Sequence, residues 1–140
     1  MDFSKSVEKA YKQALSARKN SHSPYSKFKV GAALQLKGKN EAIGGCNVEN
    51  ASFGATMCAE RTALFAAVAA YGPKIKPEFL VIVTGESEAT VPCGLCLQAL
   101  AEFCSDKMEV YLGNEEGLIE KKKFKDFLPH AFRVFEKDSQ

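Results

Sequence analysis

From the N-terminus, Phe3, Val7, Tyr11, Ala14 and Leu15 recur at helical spacing, with lysines and Glu8 between them. That period predicts an amphipathic helix over residues 3–19, ended by the loop Ser21-His22-Ser23-Pro24-Tyr25. Phe28, Val30, Ala32, Leu34 and Leu36 then alternate with mostly polar neighbours, the pattern of a half-buried strand. Lys37-Gly38-Lys39-Asn40 turns it into a second strand through Ile43 and Cys46. From Cys58 to Tyr71 the residues are helix formers, and from Thr62 to Tyr71 none is charged. Such a helix is apolar nearly all round and needs cover on more than one side. A small sheet covers one face; subunit association is the economical cover for the other, and a loop is the alternative.

Phe79-Leu80-Val81-Ile82-Val83 is a continuous apolar run of strand length, as expected of a central, parallel strand. After the loop Thr84-Gly85-Glu86-Ser87-Glu88, the pattern predicts a helix from about Cys93 to Cys104 and a strand at Met108–Leu112. Gly113-Asn114-Glu115-Glu116-Gly117 is a turn, Leu118-Ile119 starts a short further strand, and Lys123–Leu128 is a last short helix stopped by Pro129. The order αββαβαβ plus a tail implies a mixed sheet flanked by helices in one layered domain over residues 1–140.

Composition adds limits rather than detail. With 46% apolar and 26% charged residues in 140, the chain reads as a globular protein. A net charge of +2 offers no field for a nucleic acid or a membrane surface, and Lys121-Lys122-Lys123 reads as a solvated face. No apolar run approaches the roughly 18 residues that span a bilayer. Met1-Asp2-Phe3-Ser4-Lys5 leads straight into the first helix, with no secretory leader expected, and five cysteines is an odd number. Reduced thiols in a cytoplasmic protein, some of them on a metal, fit best.

The chemistry is concentrated in two short stretches, Cys58-Ala59-Glu60-Arg61 and Pro92-Cys93-Gly94-Leu95-Cys96. Each begins where a strand or loop gives way to a helix, and the free N–H groups there favour thiolate over thiol. Cys93 and Cys96, three apart, share one helical face. Three thiols and a carboxylic acid are what a hydrolytic zinc site needs: three ligands, a fourth position left open, and a group that moves protons. Taken alone, Cys93-Gly94-Leu95-Cys96 could equally be a redox pair. A structural zinc site would need a fourth ligand, for which Cys46 and Cys104 are the candidates; both otherwise read as buried thiols. Three thiolates on Zn²⁺ carry a net −1 charge. Arg61 and the two helix N-termini are the groups that could compensate it.

These cysteines and Glu60 match the established ligand-and-acid signature of zinc deaminases. With Tyr25-Ser26-Lys27-Phe28-Lys29-Val30-Gly31-Ala32-Ala33, Gly45-Cys46-Asn47-Val48-Glu49-Asn50-Ala51, Cys58-Ala59-Glu60-Arg61-Thr62-Ala63 and Leu128-Pro129-His130-Ala131-Phe132, the chain resembles the small homotetrameric zinc cytidine deaminases. The resemblance implies a three-layer αβα fold with a mixed five-stranded sheet. It implies one zinc per subunit on Cys58, Cys93 and Cys96, with zinc hydroxide attacking C4 of the cytosine ring and Glu60 as proton shuttle. Asn47 and Glu49 would hold the ribose hydroxyls, Phe28 would pack on the pyrimidine, and the backbone of Ala59 would contact the base. Ala51, Phe53 and Phe132 would contribute to sites shared between subunits. The expected substrates are cytidine and deoxycytidine, in pyrimidine salvage. Leu97 stands where relatives usually carry Arg, which keeps open a modified cytosine nucleoside such as blasticidin S. From other classes, a nucleic-acid-editing deaminase, a non-catalytic zinc-stabilised oligomer and a dithiol redox protein are the rivals.

Overall fold

Ser4 starts the first helix: its hydroxyl accepts the Val7 N–H at 3.3 Å, and α1 runs over Lys5–Arg18. The structure, a computed structural model, describes residues 3–133. After α1 come β1 (Gly31–Leu36), β2 (Ile43–Cys46), a 3₁₀ turn at Phe53–Ala55, α2 (Ala59–Tyr71) and β3 (Pro77–Val83). The chain then forms α3 (Gly94–Ala101), β4 (Glu109–Asn114), β5 (Gly117–Lys123) and the short α4 (Phe124–Phe127). The five strands lie in the order β2-β1-β3-β4-β5, with β3 and β4 parallel and every other neighbour antiparallel. This is the expected mixed sheet, with β3 at its centre.

The alternation of side chains along the strands divides the interior into two cores. Ala32, Leu34, Leu36, Leu80, Ile82, Val110 and Leu112 face α2 and α3, where they meet Ala63, Leu64, Ala67, Leu97 and Leu100. Ala33, Phe79, Val81, Val83 and Tyr111 face α1 and meet Val7, Ala10 and Ala14. The result is three layers, α1 over the sheet over α2 and α3. Polar bonds pin the middle of α1: Tyr11 Oη donates to the Asn114 carbonyl and Gln13 Nε2 to that of Ala42, both at 2.6 Å. Arg18 pairs with Glu115 and donates through Nε to the Lys29 carbonyl at 2.9 Å.

Two expectations are corrected here. The half-buried strand starting at Phe28 is a shorter strand, Gly31–Leu36, buried at all six positions. Helices cover both of its faces, and the residues between its large apolar ones are small or internally bonded. A Cβ on Gly31 would lie 2.0 Å from the Ala14 carbonyl oxygen, so only glycine lets α1 approach this closely. Gln35 is buried with its Nε2 donating to the carbonyls of Leu36 and Lys39, at 3.0 and 2.6 Å. The strand begun at Leu118-Ile119 runs a full seven residues and edges the sheet. Its lysines face solvent with ion pairs to Glu109 (3.3 Å, Lys121) and Glu120 (3.1 Å, Lys122), an edge that discourages further strand pairing. Among the described residues no helix is long and apolar enough to cross a membrane.

Candidate active site and metal centre

Chain direction brings the two cysteine stretches together. α2 leads away from one end of the sheet, β3 returns to it, and the loop 84–92 carries the chain on to Cys93, so both helices begin at the same end. Cys58 is the N-cap of α2 and Cys93 the N-cap of α3, each with extended backbone. Their carbonyls accept the first helical bonds, from Thr62 N and Leu97 N, both at 3.0 Å. Neither thiol caps its own helix; the two turn toward each other and toward Cys96 instead. β2 fixes the height of α2, since a Cβ on Gly45 would stand 2.5 Å from Ala63 N and 2.6 Å from the Ala59 carbonyl oxygen.

The sulfur atoms of Cys58, Cys93 and Cys96 all lie within 4.8 Å of one another, and Cys58 and Cys93 are 3.8 Å apart. Two thiolates on one tetrahedral zinc, each at about 2.3 Å, are separated by roughly 3.8 Å. All five cysteines are free thiols. The three donors therefore fit one zinc ion per chain. Among the described residues no other His, Cys, Asp or Glu joins the cluster, and Cys104 is buried elsewhere, its thiol pushed up to about 11 by burial. The structural-zinc alternative loses its fourth ligand.

Arg61 reaches back over the first turn of α2 and places Nη2 3.6 Å from Cys58 Sγ. The Cys58 thiol is held down at about 5, by the hydrogen bond from Cys96 first and by Arg61 as well, against the opposing effect of burial. Cys96 is pushed up, by sharing that bond with Cys58 and by burial. The guanidinium thus stands where it favours negative charge on the thiol cluster. Glu60 is only 5% exposed. Burial raises its carboxyl pKa, and the Cys58 charge raises it further.

Cys58, Ala59, Glu60 and Cys93 form one wall of a cavity of about 300 Å³, also lined by Phe28, Asn47, Glu49 and Ser26. Thr84, Thr90 and Val91, from the loop after β3, close another side. Asn47 holds the approach to β1 in place: its Oδ1 accepts Val30 N at 2.9 Å and the Ser21 hydroxyl, and its Nδ2 donates to the Phe28 carbonyl at 2.7 Å. One N–H of that amide is left. Glu49 lies at the mouth, with its Oε1 accepting the N–H groups of Tyr25 (3.0 Å) and Ser26 (3.1 Å).

Sequence comparison adds the family. Residues 4–112 match the family model described as the cytidine and deoxycytidylate deaminase zinc-binding region. The chain belongs to the cytidine deaminase family. It is 44% identical over 122 residues to the cytidine deaminase of Halalkalibacterium halodurans, covering 86% of this chain and 89% of that one. Another relative, the cytidine deaminase of Sporosarcina psychrophila, is 44% identical over 126 residues, or 90% of each chain. The crystal structure of cytidine deaminase from Burkholderia pseudomallei superposes with a TM-score of 0.82 at 41% identity, covering 88% of this chain and 96% of that one. The mixed sheet and its flanking helices are thus the fold of this deaminase family.

Three of the expected substrate contacts stay outside the cavity. Ala51 is exposed. Phe53 is 75% exposed and lines a neighbouring hollow with Tyr25, against whose ring it packs edge-on at 5.9 Å. Phe132 is also exposed, and its carbonyl accepts Gln98 Nε2 at 2.6 Å. Sequence reasoning passed over Ser26, Thr84, Thr90 and Val91. Ser26 lay within a quoted motif, while nothing in the loop after β3 marked the other three.

Proposed function

We propose that this chain hydrolyses the 4-amino group of cytidine and deoxycytidine, giving uridine or deoxyuridine and ammonia, as a cytoplasmic enzyme of pyrimidine salvage. The observation that carries the reading is the meeting, in one cavity, of a three-thiol cluster, a buried carboxylic acid and a polar mouth that complements a hydroxyl. Bound at Cys58, Cys93 and Cys96, zinc would supply the Lewis acidity that makes water lose a proton near neutral pH. Glu60 takes one proton from the attacking water and delivers it to N3 of the ring, then takes the remaining proton from the new C4 hydroxyl and passes it to the amine, which departs as ammonia. Its burial keeps competing water away from these transfers. Phe28 packs on the pyrimidine and the Ala59 backbone contacts the base. Asn47, with one N–H unspent, can only donate further; Glu49 can only accept. A ribose hydroxyl satisfies both.

Among the described residues, the cavity lining carries the carboxyl groups of Glu49 and Glu60 and no Lys or Arg, a field that favours an uncharged nucleoside over its 5′-phosphate. Leu97 is 5% exposed and packs in the core below α3 rather than in the cavity. It therefore lends no support to a modified nucleoside. The outward side of α2 is uncharged and leaves Phe65 48% exposed. This supports a homotetramer in which Ala51, Phe53 and Phe132 reach neighbouring sites. Each subunit is read as a single deaminase domain over residues 1–140. The test is an assay of the zinc-loaded protein on cytidine, deoxycytidine, blasticidin S and adenosine, following loss of the amino chromophore and release of ammonia. Turnover of the first two supports the reading; no product at high enzyme concentration overturns it.

A further inference from the structure

Glu49 sits at the cavity mouth, but its direction is set by a neighbour to which the motif assigns no role. The Ser26 hydroxyl donates to Glu49 Oε2 and accepts the Phe28 N–H at 3.0 Å, so both ends of that hydroxyl are committed. Lys27, between Ser26 and Phe28, lies in the left-handed region (φ 62°), sterically uncommon for a residue with a side chain. Its N–H closes the turn on the Ser23 carbonyl at 3.0 Å. This turn aims Ser26 Oγ at Glu49 while holding Phe28, the expected base platform, two residues away.

A carboxylate offers about four acceptor positions. Three on Glu49 are taken within the chain: Tyr25 N and Ser26 N on Oε1, and the Ser26 hydroxyl on Oε2. One remains, on Oε2. We propose that Ser26 is a positioning residue that fixes the Glu49 carboxylate so that a single acceptor faces the cavity, and thereby makes the site read one sugar hydroxyl. The Ser26 hydroxyl also leads the groups that hold the Glu49 carboxyl below the usual range, followed by the backbone N–H groups of Ser26 and Tyr25. Glu49 is thus a committed acceptor throughout the neutral range. Ser26 touches no reacting atom. Its effect passes through Glu49, and the proposal rests on Glu49 reading the sugar.

The test uses the zinc-loaded wild type, Ser26→Ala, Ser26→Thr and Glu49→Gln, with cytidine and 2′,3′-dideoxycytidine as substrates. In wild type, removing the hydroxyls raises KM. Ser26→Ala raises KM for cytidine about tenfold, the scale of one hydrogen bond to a charged group, with kcat little changed and KM for the dideoxy substrate unmoved. Ser26→Thr, which keeps the hydroxyl, restores the wild-type KM. An equal rise in KM for both substrates would show Ser26 acting through Phe28 on the base pocket, and no rise for either would show it idle; each overturns the proposal. If wild type and Glu49→Gln both treat the two substrates alike, Glu49 reads no sugar hydroxyl, and the failure lies with that assignment, taking the proposal with it.

Discussion

Replacing Glu60 by Gln separates proton transfer from everything else the site does. The two side chains have nearly the same volume, so the buried position remains filled, and the three thiols stay in place. On the proposed mechanism, what is lost is the proton carrier. A positioned acid–base group contributes about 10²–10⁴-fold, or roughly 3–5 kcal/mol of barrier. The upper part of that range is expected here. The other carboxyl in the lining, Glu49, is half-buried at the mouth and engaged by Tyr25 and Ser26, so no second group can take over. Stability should move the other way. Because folding raises the Glu60 pKa above its ordinary 4.5, its contribution is fully present below that value and is lost as pH rises through the folded value. The metal-free Glu60→Gln protein should therefore melt at or above wild type at pH 7, with the difference closing near pH 4. The measurements are kcat on cytidine, zinc per chain, and Tm of the metal-free proteins at the two pH values. A variant that keeps full zinc and more than about a tenth of wild-type kcat would refute the assigned role.

Other expectations are as direct. Asn47→Ala strands the buried Val30 N–H and should cost about 1–3 kcal/mol in urea denaturation, whereas Glu49→Ala should raise KM with little change in stability. Arg61→Gln removes one of the groups that lower the Cys58 pKa to about 5. In the metal-free protein, the pH midpoint of Cys58 alkylation should move upward; an unmoved midpoint would mean that Cys96 and Cys93 hold the thiolate without Arg61. Gly45→Val drives a side chain into the Ala59–Ala63 backbone and should cost at least about 1–3 kcal/mol, with activity falling in step because Cys58 and Glu60 ride on the same helix turn.

Periodic segments were legible where one principle governed them. The apolar stripe of α1, the continuous run of β3 and the inner face of α2 each follow from burial alone. β1 was misread because its neighbours Gly31, Ala33 and Gln35 look neutral to polar, yet each is buried for a different reason: close helix approach, small size, and an amide bonded to two carbonyls. The metal cluster was readable because ligand chemistry constrains residue type and spacing at once. Ser26 was not, since serine is common in turns and its significance lies in which carboxylate it meets across 23 positions of sequence. Asn47 showed the reverse difficulty. A residue taken as a sugar ligand also ties down the approach to β1, a double duty that no local pattern reveals.

Cysteine is a poor residue with which to begin a helix, and this protein begins two that way. α3 has only eight residues, well short of the roughly 12–15 at which a helix is even marginal by itself. An ion gripped by Cys58, Cys93 and Cys96 would clasp both opening turns from outside, supplying the restraint their own side chains decline to give. Stripping it with a chelator should then speed amide exchange at 59–62 and 94–97 together, while the strands between them stay protected. Scarcity of zinc would leave such a protein folded yet frayed at one corner, ready to be refilled without refolding.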